Sequence, residues 1–173
     1  MPMPKTVLEK YKNEVFVETG TLYGEAVKLA QEVGFKVVHS IDIDAGLIAN
    51  QNRDHAGQTG MHFYCGSSGE LLPGILKGIT GRTTFWLDAH PPGLELKLSD
   101  TPLVQELLAI TEYAKGCDAS CKPTVLIDDM RIFTPADRKI MEDMLKAMYP
   151  GEVFHEDSHI ATADILGYRP ILG

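Results

Sequence analysis

A short stretch near the start of the chain, residues 15–24, combines a strand signal with a glycine turn and reads Val-Phe-Val-Glu-Thr-Gly-Thr-Leu-Tyr-Gly. Its three consecutive apolar residues, flanked by glutamates, predict a short buried strand. Gly20 permits a turn that residues with a Cβ atom rarely adopt, and we expect Gly24 to let the next helix pack closely against the strand. Free N–H groups at such a helix N-terminus can bind a carboxylate or a hydroxyl group. The stretch therefore predicts an α/β fold with a ligand site at the turn.

The rest of the chain alternates between predicted strands and predicted helices. Apolar runs predict strands over residues 14–18, 36–43, 61–65, 83–88, 124–128, 152–157 and 162–168. Amphipathic spacing and capping residues predict helices over 23–33, 44–55, 68–76, 102–115 and 135–148, after a short helical segment within 4–13. This alternation is typical of a three-layer, doubly wound, Rossmann-like α/β sheet. The last two strands, joined through Ser-His-Ile-Ala, predict a hairpin, so we expect seven mostly parallel strands with an antiparallel last strand.

Composition narrows the classes of function. With 173 residues, 44% of them apolar, the chain is expected to form a single domain, 1–173, with a substantial core. A formal net charge of −8 argues against a nucleic-acid partner, because nucleic-acid binders usually carry a basic face. No apolar run approaches the roughly 20 residues that span a bilayer, and the first residues do not resemble a signal peptide. We therefore expect no membrane partner and a cytoplasmic location.

The three cysteines do not predict a disulfide framework, because their number is odd and the expected compartment is reducing. Cys117 and Cys121 could form a metal site together with Cys65. Their C-x3-C spacing lies in a Gly/Ser-containing turn, however, and no second Cys or His pair follows at a spacing typical of zinc sites. We expect a surface loop that carries two thiols.

The glycine turn and the strand that follows it resemble a known cofactor site. The pattern Glu18-x-Gly20-x-x-x-Gly24 lacks the three glycines of the dinucleotide fingerprint. It resembles motif I of the class I S-adenosyl-L-methionine (SAM) methyltransferases, which implies that Glu18 and the turn, including Thr21, hold the methionine end of SAM. Asp42 ends the second predicted strand about 20 residues later, where an acid can accept both ribose hydroxyls. The alternative is that Asp42 is only a strand-end acid, and its neighbour Asp44 is predicted to cap the next helix.

The segment after the third predicted strand differs from that family at one position. It reads Tyr-Cys-Gly-Ser-Ser-Gly-Glu over residues 64–70 and resembles the Gly-Asp-Ser/Ala segment whose acid binds the adenine amino group. Ser67 holds the place of that acid, and Ser68 is predicted to cap the following helix; we assign both to the cofactor site. A hydroxyl accepts a weaker hydrogen bond than a carboxylate, so the resemblance also leaves open a cofactor site that has decayed.

Three aspartates end the fourth and fifth predicted strands. Asp88 follows Phe-Trp-Leu, and Asp128 and Asp129 follow Val-Leu-Ile. Carboxyl ends of parallel strands share one edge of a sheet, and clustered carboxylates repel one another unless a cation joins them. Oxygen ligands favour Mg²⁺, so we predict a metal site formed by these three aspartates, with Asp88 also close to the cofactor. The alternative is that they cap turns. The pattern resembles the metal-dependent O-methyltransferases of the macrocin type, in which a cation holds the acceptor hydroxyls.

His90 lies two residues after Asp88 and is predicted to be a catalytic general base, alongside Asp88, because an imidazole titrates near neutral pH. The alternative is a solvent-facing loop histidine. Together the motifs predict Mg²⁺-assisted, SAM-dependent methyl transfer to a hydroxyl of a small molecule such as a sugar or a vicinal diol. A non-catalytic SAM-fold binding protein and a metal-dependent hydroxylase- or hydrolase-like enzyme are the alternatives. Few N-terminal residues precede the first strand, so a second copy of the chain could complete the substrate cleft.

Overall fold

The computed structural model describes residues 3–91, 95–118, 121–148, 150–156 and 164–171, and it contains an α/β sheet. The strands are β1 (Val15–Thr19), β2 (Val37–Asp42), β3 (Met61–Cys65), β4 (Thr83–Leu87), β5 (Thr124–Ile127), β6 (Gly151–Glu156) and β7 (Ile165–Pro170). The α-helices are α1 (Lys5–Lys10), α2 (Glu25–Val33), α3 (Ala45–Asp54), α4 (Ser68–Leu76), α5 (Leu103–Gly116) and α6 (Pro135–Met148). Short 3₁₀ turns lie at Leu98–Asp100 and Met130–Ile132.

The strands form one seven-stranded sheet in the order β3-β2-β1-β4-β5-β7-β6. β1, β2, β3, β4 and β5 are parallel, whereas β7 runs antiparallel to both of its neighbours, β5 and β6. This arrangement confirms the predicted doubly wound fold and its antiparallel last strand. The predicted Ser-His-Ile-Ala link of the hairpin, residues 158–161, lies outside the described residues.

Helices cover both faces of the sheet and bury two apolar clusters. One cluster lies between the sheet and the helices α4, α5 and α6, and it includes Leu72, Leu107 and Leu145. The other lies between the sheet and the helices α1 and α2, and it includes the buried Trp86. Strands that are buried on both faces carry continuous apolar runs. This explains why β4 and β5 could be predicted from the sequence.

Local signals account for most helix ends, with two corrections. Asp44 caps α3 as predicted, since its side chain accepts the N–H groups of Gly46 and Leu47. Gly34 ends α2 in the left-handed conformation, as expected for a helix C-terminus. The prediction that Ser68 caps α4 is wrong, because Ser68 is the first residue inside that helix and its hydroxyl bonds to Glu106. The first long helix begins at Glu25 rather than near Tyr23, since the turn occupies two more residues.

Two expectations from composition can be compared with the fold. Within the described ranges, no helix is long and apolar enough to cross a membrane. Cys65 is exposed at the end of β3, whereas Cys117 is half-buried beyond the end of α5. Among the described residues, no cluster of three or more metal-ligating side chains includes a cysteine.

Candidate functional site

The predicted site residues gather at the carboxyl edge of the central strands. The β-ladder continues past the strand ends there, because the Gly20 N–H donates to the Ile41 carbonyl at 2.9 Å and the Asp88 N–H donates to the Thr19 carbonyl at 3.0 Å. The Asp128 N–H likewise donates to the Leu87 carbonyl at 3.2 Å. These bonds hold the ends of β1, β2, β4 and β5 side by side, which is where ligands bind in open α/β sheets.

The turn after β1 brings its backbone against the end of β4. Gly20 has a φ of +89°, and a Cβ atom there would lie 2.5 Å from the carbonyl oxygen of Asp88. Gly24 is glycine for a different reason than the one predicted: its φ of +75° is left-handed, and its nearest neighbour is the Gln51 side chain of α3, not the strand. Leu22 also has a left-handed backbone, with a φ of 45°, which is uncommon for a bulky residue. The neighbouring residues therefore hold the turn in a left-handed backbone conformation that residues other than glycine rarely adopt.

Glu18 lies buried beneath this turn in a network of hydroxyl groups. The Ser40 hydroxyl donates to Glu18 Oε2 at 2.6 Å, and the Thr21 hydroxyl lies 2.6 Å from that of Ser40. Burial raises the pKa of Glu18 to about 8, with the hydrogen bond from Ser40 opposing the shift and the charges of Asp88 and Asp42 adding to it. Ser40 was not predicted as a site residue. It could have been, because residues two positions apart on a strand lie on the same face of the sheet, which places Ser40 on the face of Asp42.

Asp42 holds the turn after β1 and the start of the next loop through its carboxylate. Its Oδ2 accepts the Leu22 N–H at 2.9 Å, and its Oδ1 accepts the Asp44 N–H at 2.9 Å. A carboxylate oxygen can accept more than one hydrogen bond, so each oxygen keeps capacity for a ligand hydroxyl. The exposed side chains of Leu22, Tyr23 and Ile43 surround this position.

A pocket between β1 and β4 collects the predicted methionine-site residues. It is lined by Glu18, Gly20, Thr21 and Asp88, together with Met3, Leu22, Tyr23, Glu25, Ala26 and Trp86. Gly24 is not among the lining residues. Three carboxyl groups, those of Glu18, Glu25 and Asp88, border this small space. A positively charged ligand would favour their ionised forms and would be attracted to them.

His90 lies between two carboxylates next to this pocket. Its Nε2 is 3.1 Å from Asp88 Oδ1 and 3.3 Å from Asp129 Oδ2, so the Nε2–H is shared between them rather than aligned on one. Its Nδ1 is 3.0 Å from the carbonyl oxygen of Pro91. Burial lowers the pKa of His90, but the bonds to Asp129 and Asp88 outweigh it and raise the pKa to about 10. Both nitrogens therefore face acceptors, and His90 is a cation at neutral pH in this arrangement.

A second cation, Arg131, lies on the other side of Asp129. Its guanidinium is 2.6 Å from Asp129 Oδ1 and also pairs with the buried Asp164 at the start of β7. Asp128 lies beside this pair, and burial raises its pKa to about 7, with the charge of Asp88 adding to the shift. Arg131 and Asp164 were missed in the sequence, since nothing local marks either residue as a neighbour of the strand-end acids.

The predicted metal ligands divide into two groups that share one member. Asp88, His90 and Asp129 bring ligand atoms within 4.8 Å of one another, and so do Asp128, Asp129 and Asp164. Of the three predicted ligands, Asp129 belongs to both groups, Asp88 to the first and Asp128 to the second. The carboxylate oxygens fit a hard cation such as Mg²⁺, but His90 and Arg131 already supply positive charge to Asp129. A metal ion bound by the first group would have to displace the proton on His90 Nε2.

The two serines after β3 differ in their surroundings. Ser67 is half-buried and precedes α4, and its carbonyl accepts the N–H groups of Glu70 and Leu71. Ser68 is buried, and its hydroxyl donates to Glu106 of α5. The loop lies beside Asp42, because the Gly66 N–H donates to the Asp42 carbonyl at 2.9 Å. Glu106 was missed in the sequence, where it reads as a polar residue on an amphipathic helix.

Comparison with solved structures places this site in a known architecture. Human methyltransferase-like protein 13 in complex with S-adenosylhomocysteine (SAH) superposes with a TM-score of 0.65 at 11% identity, over 98% of this chain and 77% of that one. An SAH-bound methyltransferase from Podospora anserina gives 0.61 at 11% identity over 96% and 76%. An rRNA methylase from Streptococcus thermophilus gives 0.58 at 10% identity over 98% and 94%. The chain has the class I methyltransferase fold.

Sequence comparison adds no family to this structural likeness. Neither a protein-family model nor a curated protein sequence matches the chain. At 10–11% identity the likeness establishes the fold alone. An activity for this chain must therefore be inferred from the geometry of its own site residues.

The raised pKa of His90 predicts a specific dependence of stability on pH. A group whose pKa rises from 6.5 to about 10 on folding stabilises the protein fully below pH 6.5 and loses that contribution as the pH rises to about 10. The stability difference between the parent and His90→Gln should therefore be largest near pH 6 and should shrink towards zero by pH 10. Urea unfolding at intervals across this range measures it. The control variant is His155→Gln, at an exposed position of β6. A stability difference between the parent and His90→Gln that grows with pH would contradict the raised pKa of His90.

Proposed function

We propose that this protein is a SAM-dependent methyltransferase that methylates a hydroxyl group of a small molecule. The observation that carries the proposal is the pocket at the end of β1, where the Gly20 turn meets Asp88 and three carboxyl groups, Glu18, Glu25 and Asp88, line a confined space. SAM carries an ammonium group and a sulfonium group, and these charges suit such a pocket. The presence of SAH in two structures of the same fold supports this assignment.

The predicted cofactor residues correspond to separate parts of the SAM molecule in this proposal. Glu18 and the turn over Gly20 and Thr21 would hold the methionyl end of SAM, and Asp42 would accept the ribose hydroxyls on the neighbouring strand. The order of the strands, β2 beside β1 and β1 beside β4, keeps these groups in one line along the sheet edge. An elongated ligand can then contact all of them at once.

The proposed reaction is a direct displacement. SAM would supply an electrophilic methyl group. The acceptor oxygen would bond to this methyl carbon as the bond from that carbon to the sulfur of SAM breaks and releases SAH, and the hydroxyl proton would pass to a base of the chain. The structure favours Asp88 over His90 as the group that takes this proton, because both nitrogens of His90 face acceptors and hold protons. His90 then serves to orient Asp88 and to balance the negative charge of Asp88 and Asp129. The role predicted for His90 as general base is replaced in this proposal.

The proposal assigns a small neutral or cationic acceptor to the cleft. The formal net charge of −8 and the acids at the sheet edge disfavour a polyanion such as RNA. One structural neighbour is an rRNA methylase, so RNA is the alternative acceptor that an assay must include. A sugar or a catechol, each with two adjacent hydroxyls, fits the proposed chemistry.

We also propose that Mg²⁺ assists the reaction at Asp129, the residue shared by the two acidic groups. When bound, the ion would lower the pKa of the acceptor hydroxyl. An ion bound by the group of Asp88, His90 and Asp129 must replace the proton on His90, so its affinity there should increase with pH. This dependence separates a metal site from an acidic cluster that is neutralised only by His90 and Arg131.

Replacement of Asp42 tests the cofactor site. Asp42→Ala removes the proposed acceptor of the ribose hydroxyls and should weaken SAH binding by at least about tenfold, measured by isothermal titration calorimetry. Asp44→Ala is the matched control, two residues away. It should lower the free energy of unfolding by about 1 kcal/mol through loss of the α3 cap and should change SAH affinity much less. Parent-like binding by Asp42→Ala would show that the ribose site is misplaced, and a parent that binds neither SAM nor SAH would refute the proposed function.

Methyl transfer itself can be followed with SAM labelled in its methyl group. With catechol and sugar acceptors we expect label in an O-methyl product, identified by mass spectrometry, and no label in RNA. Asp88→Asn keeps the side-chain shape but removes the proton acceptor, and it should slow transfer by about a hundredfold or more. Asp143→Asn, an exposed change of the same kind on α6, should leave the rate unchanged. Label in RNA, or an Asp88→Asn variant as fast as the parent, would contradict the proposed acceptor or base.

A melting series tests the magnesium site. Mg²⁺ should raise the melting temperature of the parent by mass action, and more strongly at pH 9 than at pH 7, because His90 gives up its proton more readily at the higher pH. Asp129→Asn should remove most of this response, whereas Asp143→Asn should keep it. A flat response of the parent at both pH values would end the magnesium proposal and leave the cofactor proposal standing.

A further inference from the structure

A second cavity lies between the glycine turn and α3. It has a volume of about 160 Å³ and is partly open to solvent. Leu22 and Tyr23 of the turn line it, and the same two residues also border the pocket that contains Glu18. The residues assigned above to the cofactor and to the metal ion, all of them within the described ranges, do not line this cavity. It therefore lies beside the proposed cofactor site and is distinct from it.

The wall that α3 contributes to the cavity is mostly polar. Four lining residues follow one another along this helix at intervals of three, one and three positions: Leu47, Asn50, Gln51 and Asp54. This spacing places them on one face of the helix. The face of an amphipathic helix that meets the rest of the fold normally carries apolar side chains. Here it presents one apolar side chain and three hydrogen-bonding ones to the cavity.

Gln51 is the buried polar residue of this wall. It is only 4% exposed, and it packs against Gly24, where a Cβ atom would lie 2.4 Å from Gln51 Nε2. Its Oε1 has no hydrogen-bond partner among the described residues. A buried acceptor without a partner destabilises a fold, and a leucine of similar size would avoid that cost. A ligand in the cavity that donates a hydrogen bond would supply the missing partner.

Two opposite charges lie at the rim of the cavity. Arg53 Nε is 3.4 Å from Asp54 Oδ1, and the two side chains are 71% and 58% exposed. An ion pair this exposed contributes little to stability, so both groups are available to a ligand. A guanidinium can bind a carboxylate through two parallel hydrogen bonds, and a carboxylate accepts hydrogen bonds from an ammonium group. The rim therefore offers a partner to each charge of a zwitterion.

We propose that this cavity is a second binding site, which takes a free α-amino acid with an apolar side chain. The ammonium group of the ligand donates to Gln51 Oε1 and Asp54, and its carboxylate pairs with Arg53. The apolar side chain of the ligand packs against Leu22 and Leu47. Closed cavities of about 150 Å³ bind benzene, so an amino acid with its charged groups at the open rim has a suitable size.

Other classes of small molecule match the cavity less well. A neutral apolar molecule leaves Gln51 Oε1 without a donor. A simple carboxylate meets the negative charge of Asp54, and a simple amine leaves Arg53 without an anion. The zwitterion satisfies all three groups at once, which is why the two charges of the ligand decide the test.

NMR titration of the ¹⁵N-labelled protein at pH 7 tests the site with three probes. These are L-leucine, 3-methylbutylamine, which is leucine without the carboxylate, and 4-methylpentanoate, which is leucine without the ammonium group. L-Leucine should shift the amide signals of Leu22, Tyr23 and Gln51 with a dissociation constant of about 1 mM. Each analogue should bind at least about tenfold more weakly, because one charged group of the site then has no partner.

Two variants separate ligand recognition from stability. Gln51→Leu keeps the size of the side chain but removes the unpartnered oxygen. It should weaken leucine binding at least about tenfold, while the free energy of unfolding in urea stays equal or rises. Arg53→Gln should abolish the preference for leucine over 3-methylbutylamine, since only leucine carries a carboxylate. Gln105→Leu on α5 and Lys28→Gln on α2 are matched controls at exposed positions, and both should bind leucine like the parent.

Each outcome supports or overturns the proposal. Saturable leucine shifts at the cavity that Gln51→Leu loses and Gln105→Leu keeps support it, and Arg53→Gln decides if Gln51→Leu does not fold. The absence of saturable shifts up to about 20 mM leucine, equal binding of the analogues, or unchanged binding in both variants overturns it. Shifts confined to the surroundings of Glu18 and Asp88 also overturn it, because leucine then occupies the other pocket. The proposed methyl transfer is tested separately, through SAH binding.

Discussion

The contact between Gly20 and the backbone of Asp88 sets the geometry of the whole site. Because a Cβ atom at Gly20 would lie 2.5 Å from the Asp88 carbonyl oxygen, the turn after β1 can approach the end of β4 only as glycine. That approach places Glu18 and Asp88 at one pocket and positions Leu22 to bond Asp42. The proposed cofactor site and the proposed reaction site are thus joined by one close backbone contact.

Charge balance is the second constraint at this edge. Asp88, Asp128, Asp129 and Asp164 approach one another closely enough to raise the cost of ionising all four. The fold offsets this cost with two cations from its own chain, since His90 bridges Asp88 and Asp129 while Arg131 bridges Asp129 and Asp164. Burial and the charge of Asp88 also raise the pKa of Asp128. This internal neutralisation changes the chemistry assigned to His90 from proton acceptor to charge partner.

Much of the fold could be predicted because its signals are local. The strands β3 and β4 and the helix α6 lie within one residue of their predicted bounds, since continuous apolar runs mark buried strands and a 3.6-residue period marks α6. The helix cap at Asp44 could also be predicted, because the capping carboxylate and the N–H groups that donate to it are neighbours in sequence. Ser68 was misassigned as a cap for the complementary reason: its hydroxyl has a partner, Glu106, on another helix.

The sequence by itself determined which residues stand at strand ends, because the alternation of strands and helices fixes where each parallel strand stops. It therefore predicted that Gly20, Asp42, Asp88 and Asp128 lie at one edge of the sheet. Only the tertiary structure decided how the side chains at that edge pair, since Arg131 meets Asp164 and Ser68 meets Glu106 across more than 30 residues of chain. Those pairings depend on how helices and loops pack over the sheet, and packing between distant segments leaves no periodic signal in the sequence.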